Sequence, residues 1–327
     1  MRLRRRMIGG TPVSELKLGE SWKRIGGYPN PPAELDIDAL TAAEDLLPFL
    51  QLDATSRAAL IDAAEKFPDA EAEAYPFLLP VIPRSFRDFM LYEKHVVDAS
   101  RGMVRRLMPK AYPITRAFEA LTGKPFPKFK PHPLWYRQPI YYFSNHNTIV
   151  TDGDVMPWPG YSDLLDYELE LGAILAHPLQ NASAAEAEAA IGGFVVLNDF
   201  SARDVQIDEM RSGFGPQKAK HFASAISAEI VTADEVLPVL GSLRGAVRIN
   251  GKEVAIVSSA GAQFTLPEAI AFASRAEQLS PGELFGTGTI PGGTGIENDA
   301  MVRAGDTLTL TLAGVGSLTN RVGMKGD

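Results

Sequence analysis

At 327 residues with 45% hydrophobic content, the chain is long enough to bury a sizeable core and to hold two domains of ordinary size. Its formal net charge of −8 argues against nucleic acid as a partner. The absence of cysteine excludes disulfides, and no apolar stretch is long enough for a membrane span. The opening MRLRRRM resembles the basic start of a signal peptide, but IGGTPVSELKLGE follows without an apolar segment, so the cytoplasm is the expected location.

Residues 1–34 read as polar and rich in Pro and Gly, with a loop at Pro29, Pro31 and Pro32. Helices are expected over 38–47, stopped before Pro48, and over 55–66, started by the capping cluster at 53–56. The stretch 85–107 has helical composition and no internal Pro. On one helix Asp88 and His95, seven apart, would differ by about 20° around the axis and share a face. Asp98, three residues after His95, could then orient the imidazole, as a general base requires.

The remainder reads as strand-rich. Strands are expected at 140–143, 168–175, 193–197, 228–231, 284–289 and 307–312, and Asn250-Gly251 inside VRINGKEVAIV is a type I′ hairpin signal. Helices fit 183–191, 201–210 and LPEAIAFASRA. The class is therefore α+β and β-rich.

The chemistry concentrates in carboxylates. In LDYELELGAIL, Glu168 and Glu170 stand two apart, which places them on one face of a strand, while Leu169, Leu171 and Ala173 bury on the other. Two ionised acids side by side repel and are costly to desolvate unless a cation or a basic side chain lies between them. A wet acidic edge strand is the plainer alternative, but Asp199 ends the apolar strand GGFVVLN and adds a third acid where a cleft would open. Oxygen ligands of this kind suit Mg²⁺, Mn²⁺ or Ca²⁺. Zinc is disfavoured, because there is no Cys and the histidines (His95, His132, His146, His177, His221) show no His-x-x-x-His or Glu-x-x-His spacing.

In order along the chain stand Asp88-Phe89 with His95 seven residues after the acid, Glu168-x-Glu170, NDFSARD at 198–204, Lys220-His221-Phe222-Ala223-Ser224, and Gly286-x-Gly288-Thr289. With these motifs the chain resembles the fumarylacetoacetate hydrolase family over residues 77–322. The resemblance implies a mixed β-sandwich roll at 77–327 behind a small, partly helical N-terminal region at 1–76. It implies Asp88, Glu168, Glu170 and Asp199 as ligands of a divalent metal, Mg²⁺ first with Mn²⁺ or Ca²⁺ as alternatives, and Lys220 and Ser224 in the outer environment. His95 would activate water, partnered by Glu297 in preference to Asp98. Arg203, Gln206 and Lys220 would stabilise an oxyanion, and Thr289 would touch a substrate carboxylate or carbonyl. A homodimer acting on a small oxo acid follows by the same resemblance.

Where members that cleave fumarylacetoacetate carry two substrate-binding tyrosines, this chain has Met90 and Met210. The loss of two hydroxyl donors points to a different substrate on the same reacting core. The expected activity is hydrolysis of a C–C bond in a 1,3-diketo acid, fumarylacetoacetate- or acylpyruvate-like. Decarboxylation of a 2-oxo diacid, hydration of a dienoate or keto-enol tautomerisation are the alternatives on the same metal site, and a non-catalytic β-rich binding protein is the rival class.

Overall fold

The structure, a computed structural model, describes residues 1–26 and 35–326; the loop expected at Pro29, Pro31 and Pro32 lies outside the described residues. The N-terminal region departs from the expectation of helix and irregular chain, because it opens with strands β1 (Arg2–Ile8), β2 (Thr11–Leu18) and β3 (Ser21–Arg24). The basic run at the start is a strand whose charge is answered across the ladder: Arg4 Nε and Arg6 Nη2 reach the buried Glu15 carboxylate at 2.6 and 2.5 Å. Charged residues hid the alternation, since Arg5, Arg6 and Glu15 are themselves buried.

Helix α1 (Ile37–Ala42) is capped by Asp36, and α3 (Ala54–Ala64) by Asp53, whose carboxylate accepts from Ser56 N at 2.7 Å. Between them Pro48 begins a helix instead of ending one. It lies in the first turn of α2 (Leu47–Leu50), where its missing N–H costs nothing.

The stretch 85–107 is not one helix: after β4 (Phe77–Leu78) comes the fully buried β5 (Phe86–Phe89), and only then α4 (Glu93–Leu107). Asp88 therefore sits on a strand and shares no helical face with His95. Pairing on both edges of a short buried segment outweighed its helical composition.

Helix α5 (Tyr112–Thr122) leads to β6 (Tyr141–Ser144), β7 (Ile149–Val150), β8 (Val155–Trp158), β9 (Leu165–Asp166) and β10 (Leu169–Leu175). Helix α6 (Ala184–Ala190), with a Ser183/Glu186 capping box, feeds β11 (Ile191–Asn198), then β12 (Ser201–Ala202) and α7 (Arg203–Arg211). Next come β13 (Ser224–Ile226), β14 (Ile230–Thr232), α8 (Ala233–Val236) and the hairpin β15 (Arg244–Ile249) to β16 (Lys252–Ser258). Its turn has φ of 52° at Asn250 and 78° at Gly251, the positive pair a type I′ turn requires. Helix α9 (Leu266–Ala273), β17 (Leu284–Gly286), α10 (Gly295–Asn298), β18 (Thr307–Leu312) and β19 (Gly316–Lys325) finish the fold.

Among the described residues the main sheet has twelve strands with the central path β3-β2-β1-β14-β11-β10-β17-β5-β6, and a five-stranded sheet runs β16-β15-β18-β19-β8. Strand β11 is buried on both faces and reads as a continuous apolar run for that reason. Its Phe194 and Val196 join Leu171, Ala173, Leu308, Leu310 and Leu318 in the core between the sheets. Its Val195 and Leu197 pack on the other side with Phe49, Leu50 and Leu60 of the N-terminal helices. The N-terminal segment thus extends the main sheet through β1 and covers its back. Among the described residues no helix is long and apolar enough to cross a membrane.

Candidate active site

The centre of the main sheet brings three carboxylates together. Asp88 comes from β5, Glu170 from β10 and Asp199 from the residue after β11; all three are buried, and one oxygen from each lies within 4.8 Å of the others. Strand β17 runs between β10 and β5 with Gly286 in register with both Gly172 and Asp88. A Cβ on Gly286 would stand 2.4 Å from Asp88 Oδ1 and 2.9 Å from Glu170 Oε2, so the strand must be bare there for the acids to meet. Gly288, at φ +74°, lets its backbone pass Phe89 and donates its N–H to Asp88 Oδ1 at 3.2 Å.

Burial, then the nearby Asp199, pushes the Asp88 carboxyl well above its ordinary range; burial, then Asp88 and Asp199, does the same to Glu170. Glu170 Oε2 is buried without a hydrogen-bond partner. Three hard oxygen donors converging with one orphaned acceptor fit a divalent cation of the Mg²⁺, Mn²⁺ or Ca²⁺ type.

Glu168 stands beside this group and faces cations. Its two oxygens take Arg203 Nη2 at 2.7 Å and Lys220 Nζ at 2.5 Å. Burial would raise its carboxyl, but Lys220 and then Arg203 override that and hold it at about 2. Lys220 Nζ also reaches Asp199 Oδ2 at 2.6 Å, while Ser224 Oγ donates to Asp199 Oδ1 at 3.1 Å. Burial opposes the charge on Lys220, yet Asp199 and Glu168 keep it protonated. Thr289 Oγ1 lies 3.5 Å from Glu170 Oε1, and Gln206 Oε1 accepts from Arg203 Nη1 at 2.9 Å.

His95 projects from the first turn of α4, with Nδ1 3.3 Å from Glu297 Oε1 but off the line of a straight hydrogen bond. Glu297 belongs to α10 and is steadied by Gly292 N on its other oxygen at 2.9 Å. Asp98 does not orient the imidazole. Its carboxylate is taken by Lys94 and Arg101 along the helix. Spacing on a helix permitted the Asp98 contact, but a carboxylate distant in sequence reached the ring instead.

Met90 is half-buried and its carbonyl accepts from Trp135 Nε1 at 2.5 Å. Met210 is 52% exposed near the end of α7, so it forms no part of a buried wall. Three contributors escaped the sequence reading. Tyr142, opposite Asp88 in the β5–β6 register, donates its hydroxyl to Asp199 Oδ2. Asp166 and Thr294 tie Arg203 from behind. Asp166 stands within the DYELELG motif, whereas Tyr142 and Thr294 carry no local signal, because partners distant in sequence define their roles.

Residues 114–323, more than half of the chain, match the family model described as fumarylacetoacetate (FAA) hydrolase C-terminal. Human mitochondrial oxaloacetate tautomerase is 25% identical over 185 residues, covering 57% of this chain and 81% of its own length. The homoprotocatechuate catabolism bifunctional isomerase/decarboxylase of Escherichia coli is 25% identical over 245 residues, covering 69% and 55%. In fold, the chain superposes with a TM-score of 0.67 on maleylpyruvate hydrolase from Sphingobium sp. SYK-6 in complex with manganese(II) and pyruvate, at 17% identity and 99% coverage of both chains. With the motifs, the acidic cluster and a match running through most of the sheet core in agreement, this chain belongs to the fumarylacetoacetate hydrolase family.

Proposed function

We propose that the protein is a divalent-metal-dependent hydrolase that cleaves a C–C bond in a 1,3-diketo acid of the acylpyruvate kind. The observation that carries this reading is the His95–Glu297 pair, whose imidazole acts electrostatically on Glu168, itself joined to Asp199 of the Asp88, Glu170, Asp199 group through Lys220: a base with a carboxylate partner is what water activation needs. Asp88, Glu170 and Asp199 would hold the cation, which when bound would supply Lewis-acid polarisation of the oxo-acid end of the substrate. Mg²⁺ is the first choice for that ion. Glu297 holds the Nδ1 side of His95 and leaves Nε2 to take a proton from water. The hydroxide adds to the distal carbonyl carbon, whose oxygen gains the negative charge. Arg203 and Lys220 are the fixed positive groups of the site, and Gln206 extends the Arg203 donor set. The bond to the central CH₂ then breaks with its electron pair moving to that carbon, and proton return yields a carboxylic acid and a 2-oxo acid.

Half-buried Met90 offers packing surface in place of a hydroxyl, which favours a short or apolar distal group. A second reading, tautomerisation or decarboxylation of a 2-oxo acid, is supported by the names of the relatives, and it makes less use of the base pair.

The test is turnover of acylpyruvates, oxaloacetate and dienoates with and without Mg²⁺, on the wild type and on His95→Asn. The hydrolase reading expects acylpyruvate cleavage that falls about 10²- to 10⁴-fold in the variant, the range for loss of a general base. Near-normal turnover of His95→Asn would move the protein to the second reading.

A further inference from the structure

Asp166 is fully buried and is not one of the three carboxylates that converge at the centre of the sheet. Its two oxygens nevertheless accept five hydrogen bonds. Oδ1 takes Tyr167 N at 2.9 Å and Gly295 N at 2.8 Å. Oδ2 takes Arg203 Nε at 2.8 Å, Thr294 Oγ1 at 2.5 Å and Ile296 N at 3.1 Å. One carboxylate thus grips the guanidinium of Arg203 and the two backbone amides directly preceding Glu297.

The geometry around it permits nothing looser. A Cβ on Gly295 would come within 2.6 Å of Asp166 Oδ1. From the opposite side, a Cβ on Gly102 of α4 would lie 1.9 Å from Ile296 O, so the helix carrying His95 rests directly on the same short turn. Thr294 closes the loop, accepting from Arg203 Nη2 at 2.8 Å while it donates to Asp166. The turn that carries Glu297 is therefore held between the His95 helix and the Asp166–Arg203 pair.

We propose that Asp166 is a positioning residue that sets two functions with one anion: it places Glu297 against His95, and it fixes Arg203 at the reacting centre. The inference rests on the hydrolase reading for the meaning of the His95–Glu297 pair, but not for the placement itself. A neutral amide at this position would present an N–H₂ to donors, leaving either Arg203 Nε or the α10 amides unpaired.

Asp166→Asn, loaded with Mn²⁺, is compared with wild type by hydrogen exchange and by cleavage of acetylpyruvate. Exchange of the 292–299 segment should accelerate at least roughly tenfold while β10 and β11 keep their protection. In kinetics, kcat should fall about 10- to 10²-fold with KM changed less than about threefold, since the substrate's own contacts are intact. Combined with His95→Asn, the loss should shrink but not vanish, because the share that acts through the base pair has nothing left to position while the share that acts through Arg203 remains. Should Asp166→Asn fail to fold, Thr294→Val and Thr294→Ser replace it: the first should reproduce the kcat loss and the second restore activity. Unchanged exchange at 292–299, or an Asp166→Asn loss that multiplies undiminished onto His95→Asn, overturns the proposal. If the wild type cleaves no acylpyruvate, the hydrolase reading fails, and the exchange result alone decides the placement by Asp166.

Discussion

Gly286→Ala adds a single methyl group to the centre of the site, and its effect can be worked from the geometry. The new Cβ would sit 2.4 Å from Asp88 Oδ1, about 1 Å inside ordinary contact, and 2.9 Å from both Glu170 Oε2 and Leu197 Cδ2. Gly286 has no positive φ, so the backbone accepts alanine and the clash is entirely with these side chains. The carboxylates must give way, since the third neighbour is packed in a closed core. Overpacking of this kind costs about 1–3 kcal/mol, and for a chain of this size each kcal/mol lowers the melting temperature by about 2–4 °C. A displacement of about 1 Å in a reacting constellation costs about 10²-fold in rate. The variant should remain folded with a melting point lowered by several degrees, bind Mn²⁺ at least about tenfold more weakly by calorimetry, and turn over about 10²-fold more slowly. Wild-type Mn²⁺ affinity together with wild-type kcat would refute the claim that Gly286 makes room for the acidic cluster.

Glu170→Ala should abolish binding of Mg²⁺ and Mn²⁺, because it removes the acid at the middle of the cluster; unchanged affinity in calorimetry would refute the ligand assignment. Asp98→Ala should leave kcat within about threefold of wild type, since exposed ion pairs such as those with Lys94 and Arg101 contribute about 0–1 kcal/mol; a loss of 10²-fold would restore Asp98 as the partner of His95. The metal-free protein should lose stability as pH rises above the ordinary carboxylate values of 3.8 for Asp88 and 4.5 for Glu170, because folding raises both carboxyls and ionising them then costs folded-state free energy. Glu168 has the opposite sign, adding stability above 4.5 that is lost as pH falls toward about 2. Melting curves with chelator and with Mn²⁺ should therefore diverge as pH rises, since the ion replaces protons on the two raised acids; parallel curves would contradict this.

Sequence by itself determined the β-rich class, the buried strand that leads into Asp199, the type I′ turn at Asn250-Gly251 and the acid-bearing strand with Leu169, Leu171 and Ala173 on its core face. These features follow from short-range rules: period-two alternation, positive φ at a turn, and caps such as Asp53. Tertiary structure alone decided which acids meet. Glu168 and Glu170 have the same spacing from Leu169, yet Glu170 faces Asp88 and Asp199 while Glu168 faces Arg203 and Lys220, because strands remote in sequence supply the neighbours. It also decided that Asp88 lies on a strand, where pairing with β17 and β6 prevailed over helical composition, and that the basic N-terminus is a strand answered by Glu15. The partner of His95 likewise came from Glu297, some two hundred residues away in the chain, and not from Asp98 in the next turn. A local rule lists the contacts a residue can reach on its own element. Which of them forms depends on the charges and hydrogen bonds that the rest of the fold brings to the same place.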